Sequence, residues 1–84
     1  MVKYELTQHA SNVLKERGIA VEWMERVLAK PRLMQPSLSD PDLMMRFDTI
    51  AEFGNRVLCV VVNTRVVPER VVSVYFDRRM SGKL

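Results

Sequence analysis

Residues 7–19, Thr-Gln-His-Ala-Ser-Asn-Val-Leu-Lys-Glu-Arg-Gly-Ile, constrain the fold more tightly than any other part of the chain. Ala10, Val13, Leu14 and Arg17 recur at i, i+3, i+4 and i+7, the spacing of one helix face, and predict a helix over 8–17. Thr7 is placed to start it, because its hydroxyl can accept an orphan amide of the first turn. The fuller reciprocal cap is absent, since Ala10 stands where Glu or Gln would close it. Gly18 fits the left-handed position that ends a helix, and Ile19 supplies the apolar contact that goes with such an end. This segment therefore has a fixed start and a fixed stop, and it carries the only histidine, His9.

A second helix is expected over 21–29. Met24, Val27 and Leu28 form its inner face, Trp23 lies beside that face, and Pro31 forbids continuation. Only about two residues separate the helices, which predicts a helical hairpin. Before it, Val2, Tyr4 and Leu6 alternate loosely as a short first strand. After it, residues 31–42 hold three of the four prolines and read as irregular, with 32–35 as an edge strand that tolerates nearby proline.

The remainder is strand-like. Leu43, Met45, Phe47, Thr49, Ala51 and Phe53 alternate with Met44, Arg46, Asp48, Ile50 and Glu52, which predicts a strand whose second face is wet. Gly54-Asn55 is a turn, residues 56–62 are apolar on both faces as in a central strand, and residues 69–76 form a further strand. Helices gathered ahead of strands imply an α+β fold: an N-terminal helical hairpin on a three- to four-stranded twisted antiparallel sheet. The tail 77–84 is polar, basic and read as partly mobile.

Eighty-four residues make one domain with a small core, burying about 60–65% of the unfolded surface. No apolar run approaches the ~20 residues of a membrane span, and residues 1–5 lack the apolar stretch of a signal peptide, so the expectation is a cytoplasmic protein. Cys59 is the single cysteine and sits in an apolar run, where it reads as a small core hydrophobe. One His and one Cys at this separation make no metal-ligand set, and glycine-rich phosphate loops are absent, so no cofactor is expected. The net charge is +3 and nine of the 13 cations are arginine, a residue suited to phosphate. No helix-turn-helix with a basic recognition helix is visible.

The phrase Thr7-x-His9-Ala10, then Glu16-Arg17-Gly18-Ile19, a second helix ending at Pro31 and the strand Val71-Val72-Ser73-Val74-Tyr75 together resemble a domain-of-unknown-function family of small bacterial proteins, grouped with the RelE/ParE and BrnT-like toxins. The resemblance covers nearly the whole chain. It implies a RelE-like fold, a toxin of a toxin–antitoxin module, cleavage of messenger RNA on the ribosome, and an antitoxin partner that masks the active surface. The alternative is a non-catalytic module of the same fold that binds a protein or forms a homodimer.

Candidate site residues follow from side-chain chemistry. His9 and Glu16 project from nearly one stripe of the first helix and make an acid–base pair, or else His9 only bridges helix to sheet. Arg46, Asp48, Glu52 and Arg56 make either a phosphate-holding surface or cross-strand pairs, with Arg56 close to Glu52 or its neighbour across the turn. Tyr75, Asp77, Arg78 and Arg79 combine a stacking ring with phosphate clamps, or are a packed tyrosine before a solvated tail. The catalytic set is thus His9, Glu16, Arg56 and Tyr75, and the nucleic-acid contacts are Arg46, Arg56, Arg78 and Arg79. Trp23 reads as packing or as a partner anchor, and Val66-Val67-Pro68 as an exposed interface or a returning edge.

Overall fold

The computed structural model describes residues 3–84. The chain runs β1 (Tyr4–Leu6), α1 (Gln8–Glu16), α2 (Val21–Ala29), β2 (Leu33–Pro36), β3 (Leu43–Ile50), a 3₁₀ turn (Ala51–Phe53), β4 (Arg56–Asn63), β5 (Glu69–Phe76) and a last 3₁₀ turn (Arg78–Met80). Val2, expected to open the first strand, lies outside the described residues. No helix is long and apolar enough to cross a membrane.

Both signals at the ends of α1 act as their chemistry demands. Thr7 Oγ1 accepts the Ala10 amide at 3.1 Å. Its own amide donates to the Val71 carbonyl at 3.0 Å and its hydroxyl to the Val72 carbonyl at 3.4 Å, so the residue that starts α1 also fastens it to β5. At the other end Gly18 has φ +62°, its amide reaches the Lys15 carbonyl at 3.4 Å, and the Ile19 amide reaches Leu14 at 3.0 Å. That paired closure needs the left-handed residue that glycine supplies without penalty.

The fold is α+β, but the sheet has five strands in the order β1-β5-β4-β3-β2 and is mixed, because β1 runs parallel to β5 while the other pairs are antiparallel. This corrects the expected three- or four-stranded antiparallel sheet. The short first strand and the edge strand over 32–35 are both present, as β1 and β2, but three or four residues carry too little pattern to say that they join this sheet or in which direction. The expected hairpin is corrected too. The helices contact strands rather than mainly each other: α1 packs on β5, and α2 on β4 and β3. The short link between them only lays them side by side on one sheet face.

That face holds the larger core. Ala10, Leu14, Met24, Val27 and Leu28 from the helices and Ile19 from the link between them meet Ile50, Leu58, Val60, Val62, Val71 and Val74 from the sheet. The opposite face carries Phe47, Val57 and Cys59, with Leu33, Met45, Val61 and Tyr75 around them. Cys59 is fully buried there, as a small hydrophobe should be.

As far as Ile50 the alternation in β3 names the two residue sets correctly, though Phe53, expected to share a face with Phe47, lies past the strand end and packs with Trp23 and Phe76. The set containing Arg46 is not wet. In register, Arg46 opposes Val60 and Ile50 opposes Arg56, which places this set beneath the helices. Arg46 is only 8% exposed. Its guanidinium donates to the Leu28 carbonyl at 3.4 Å, at the C-terminal end of α2, and to Glu69 Oε2 at 2.9 Å. A helix's last carbonyls carry partial negative charge, so a cation beneath them is satisfied rather than stranded. Alternation tells which residues share a face; it cannot tell which face a helix will cover.

Beyond β5 the tail folds back. Asp77 is 8% exposed, and its amide donates to the Val57 carbonyl at 2.9 Å. Met80 and Leu84 rest against the Phe47–Val57–Cys59 cluster. The tail thus supplies the cover that no helix gives this side of the sheet.

Candidate anion-binding cleft

Where β4 begins and β5 ends, the chain makes a cleft of about 420 Å³ lined by Gly54, Arg56, Val57, Phe76, Asp77, Arg78 and Ser81. A smaller hollow of about 300 Å³ continues along Glu52, Phe53, Gly54 and Arg56. Local chemistry explains the shape. β3 stops at Ile50, three residues before the alternation does, because Ala51–Phe53 curl into a 3₁₀ turn. Gly54 and Asn55 then take φ +66° and +57°. Glycine and asparagine are the residues that accept a left-handed backbone most readily, so two in succession can turn the chain sharply into β4.

The wall is aromatic. Phe53 stacks on Phe76 at 5.0 Å between ring centroids, and Trp23 meets Phe53 at 5.3 Å, so Trp23 packs within this cluster. The Arg56 guanidinium stands over the Phe53 ring, 4.9 Å from its centroid. An arginine held over a ring by cation–π attraction can still offer its outer N–H groups to a ligand. On the other side, the buried Asp77 carboxylate accepts the Arg79 amide at 2.9 Å and lies 3.6 Å from Arg79 Nε. Asp77 thereby shapes the 3₁₀ turn that brings Arg78 to the cleft.

The electrostatics depend on which arginines are already paired. Six of the nine stand within 4.0 Å of a carboxylate: Arg26, Arg32, Arg46, Arg65, Arg70 and Arg79. Among the described residues Arg17, Arg56 and Arg78 form no such pair, and the last two line one cleft. Across the turn Arg56 approaches the neighbour of Glu52, Phe53, and not Glu52 itself. Glu52 is held by Arg26 from α2 in a two-pronged contact at 2.7 and 3.0 Å, and that hydrogen bonding lowers its carboxyl to about 2. With its neighbour engaged, Arg56 keeps its charge available. Two uncompensated guanidinium groups on an aromatic-walled cleft are suited to the oxygens of a phosphate or a carboxylate.

The other proposed site residues lie elsewhere. His9 and Glu16 are exposed on α1, outside the cleft lining, and their side chains form no hydrogen bond among the described residues. Tyr75 faces the opposite side of the sheet beside Cys59, where burial pushes it up to about 12 and the thiol up to about 11. Arg46 is under α2, and Arg79 projects into solvent with its side chain 88% exposed. The cleft thus joins Arg56 to Arg78 and Asp77. Phe53, Gly54, Phe76 and Ser81 belong with them but carried no functional signal, apart from the turn marked by Gly54-Asn55.

Fold and cleft together define a small α+β domain with a cationic hollow at one end of a mixed sheet. Residues 6–76 match the model of the family described as Domain of unknown function (DUF4258), and the chain belongs to that family. No curated protein and no solved structure matches it.

Proposed function

We propose that this protein is a toxin-like domain directed at RNA, and that it grips the phosphate backbone with Arg56 and Arg78 at the cleft and with Arg79 beside it. The observation that carries this reading is the convergence of the two unpaired arginines on one cleft. Relatedness to the RelE/ParE and BrnT-like toxins, and an antitoxin partner, belong to the same proposal. Its support is the pattern of residues 7–19 and 71–75 set out above.

Cleavage of RNA needs a proton acceptor at the 2′-hydroxyl and a donor at the leaving oxygen. Of the residues read for catalysis only Arg56 lines the cleft, so the proposal is binding first, with endoribonuclease action as a further step. The test is the affinity for a labelled single-stranded RNA across a salt series, for the wild type and for Arg56→Ala and Arg78→Ala. Each lost phosphate contact should flatten the slope of log affinity against log salt by about 0.7. Wild-type slopes in both variants would defeat the reading. Controlled induction in a bacterial host, with inspection of the message, decides whether cutting accompanies binding.

A second reading is favoured by the other end of the sheet. Leu38 and Val67 are essentially fully exposed on the two loops that flank the Leu43–Asn63 pair, and these loops are tied by Arg65 and Asp42 at 3.4 Å. Two bare apolar side chains on neighbouring loops fit a protein contact, with a second copy or another chain. Sedimentation of wild type against Leu38→Ser/Val67→Ser tests the homodimer: a monomeric wild type at high concentration would remove it.

A further inference from the structure

The C-terminal segment faces two ways at once. Arg78 and Ser81 line the cleft, while Met80, between them in sequence, rests on the Phe47–Val57–Cys59 cluster across the sheet. Leu84 rests on that cluster as well. Hydrogen bonds make the segment one unit: the Met80 amide donates to the Asp77 carbonyl at 3.3 Å, Ser81 to Arg78 at 3.2 Å and Lys83 to Met80 at 3.0 Å. Its root is fixed, since the Asp77 amide is bound to Val57. Past that root, no side chain from residue 78 onward forms a hydrogen bond or ion pair with the sheet or helices among the described residues. Arg79 pairs within the segment, with Asp77. What remains to hold the outer part down is the packing of Met80 and Leu84.

We infer that residues 77–84 are a positioning strap: Met80 and Leu84, docked on the sheet face that the helices leave uncovered, set Arg78 at the cleft and so set the cleft's affinity for phosphate. This rests on the cleft being a phosphate site, as proposed above. A side chain two residues from an anchor, in the same 3₁₀ turn, cannot keep its place if the anchor lifts. Cys59 reports the anchor independently of any ligand. Its side chain belongs to the cluster that the strap covers, and it is fully buried. A lifted strap should therefore open the only thiol in the chain to reagent.

The experiment follows three quantities in Met80→Asn/Leu84→Asn and in the milder Met80→Ala: the rate of Cys59 alkylation by iodoacetamide, the affinity for a labelled single-stranded RNA, and the midpoint of thermal unfolding. Met80→Ala guards against a double variant that does not fold. The expected result is faster alkylation with weakened RNA binding, reaching in the double variant the level of Arg78→Ala. Adding Arg78→Ala to the strap variants should then cause no further loss, because both changes remove one contact. Met80→Leu, which keeps the apolar anchor, should restore wild-type behaviour in both readouts.

Faster alkylation with unchanged RNA affinity would overturn the inference, and so would losses that add to that of Arg78→Ala. Unchanged alkylation in a folded double variant would show that the strap is not what covers Cys59, and would overturn it equally. Failure of the underlying reading has a separate signature. Arg78→Ala, whose strap is intact, would itself bind RNA like the wild type.

Discussion

The two faces of the sheet are built from the same strands and closed by different means. Beneath the helices, two amphipathic segments and the link between them bring six side chains onto six from the sheet, nearly all at or close to zero exposure. On the other face three buried residues lie under two side chains of a strap, and their neighbours Leu33, Met45, Val61 and Tyr75 stay half-exposed. β4 supplies both, with Leu58, Val60 and Val62 on one side and Val57 and Cys59 on the other. The lesson is a division of labour. The helix face carries the larger buried cluster, and the strap face, with fewer buried contacts, is where local opening is expected to cost less.

Truncations on the two sides should break that symmetry most visibly. Leu58→Ala empties a fully buried site between strand and helices, and its expected cost is about 2–5 kcal/mol in urea unfolding. Met80→Ala removes a half-buried anchor, with an expected cost of about 1 kcal/mol. Equal costs would mean that the strap face is as integral to the fold as the helix face.

Next in size is the ion pair under the helices. Arg46 and Glu69 meet at 2.9 Å, with side chains 10% and 33% exposed. Arg46 Nε is buried with no partner. Removing one member of a buried pair strands the other, and the cost depends on whether the survivor can reach water. Glu69→Gln leaves the deeper charge behind and should cost about 3 kcal/mol, whereas Arg46→Met leaves a carboxylate that can hydrate and should cost about 1 kcal/mol or less. The reverse order would show that the link from Arg46 to the Leu28 carbonyl, rather than the pair, is what anchors α2.

These residues also show what the sequence could and could not tell. Thr7, Gly18 and Pro31 mark helix ends by local chemistry, so the ends of α1 and α2 were legible to within a residue. The strands β3, β4 and β5 are legible from the alternation in β3 and the apolar runs of β4 and β5, although the alternation continues three residues past the end of β3. The loose alternation of Tyr4 and Leu6 marks β1 as a strand, but its parallel pairing with β5 depends on contacts more than sixty residues away that no local pattern encodes. The site was less legible still. Charge marks Arg56 and Arg78, and equally Arg46, because charge alone does not distinguish a guanidinium in a cleft from one beneath a helix. What frees Arg56 is Arg26 taking Glu52 across a separation of 26 residues, and nothing in the local sequence marks it.

Gly18→Ala probes the helix side at its boundary. A Cβ there would meet nothing within 4 Å, so the cost is conformational alone, at φ +62°. About 1–2 kcal/mol is expected, read as a lower urea midpoint at unchanged slope. A neutral result would mean that the helix end relaxes into another closure without disturbing Ile19, which is buried just after it.

The smallest effect belongs to the strap face and appears only at high pH. Burial raises Cys59 from 9.0 to about 11 and Tyr75 from 10.0 to about 12. Both groups hold their protons more tightly when folded. The stability this reflects is complete below pH 9 and is lost as the pH climbs, because the unfolded thiol ionises first while the folded one does not. Cys59→Val removes that linkage at nearly constant volume. Its stability should therefore fall less steeply than the wild type's between pH 9 and 11, and the two should run parallel below pH 8. On the helix face the Tyr4 phenol is likewise raised to about 12, by burial and by its bond to Glu25, but it is present in both proteins, so identical alkaline slopes would mean that the strap already admits water to Cys59 in the folded state.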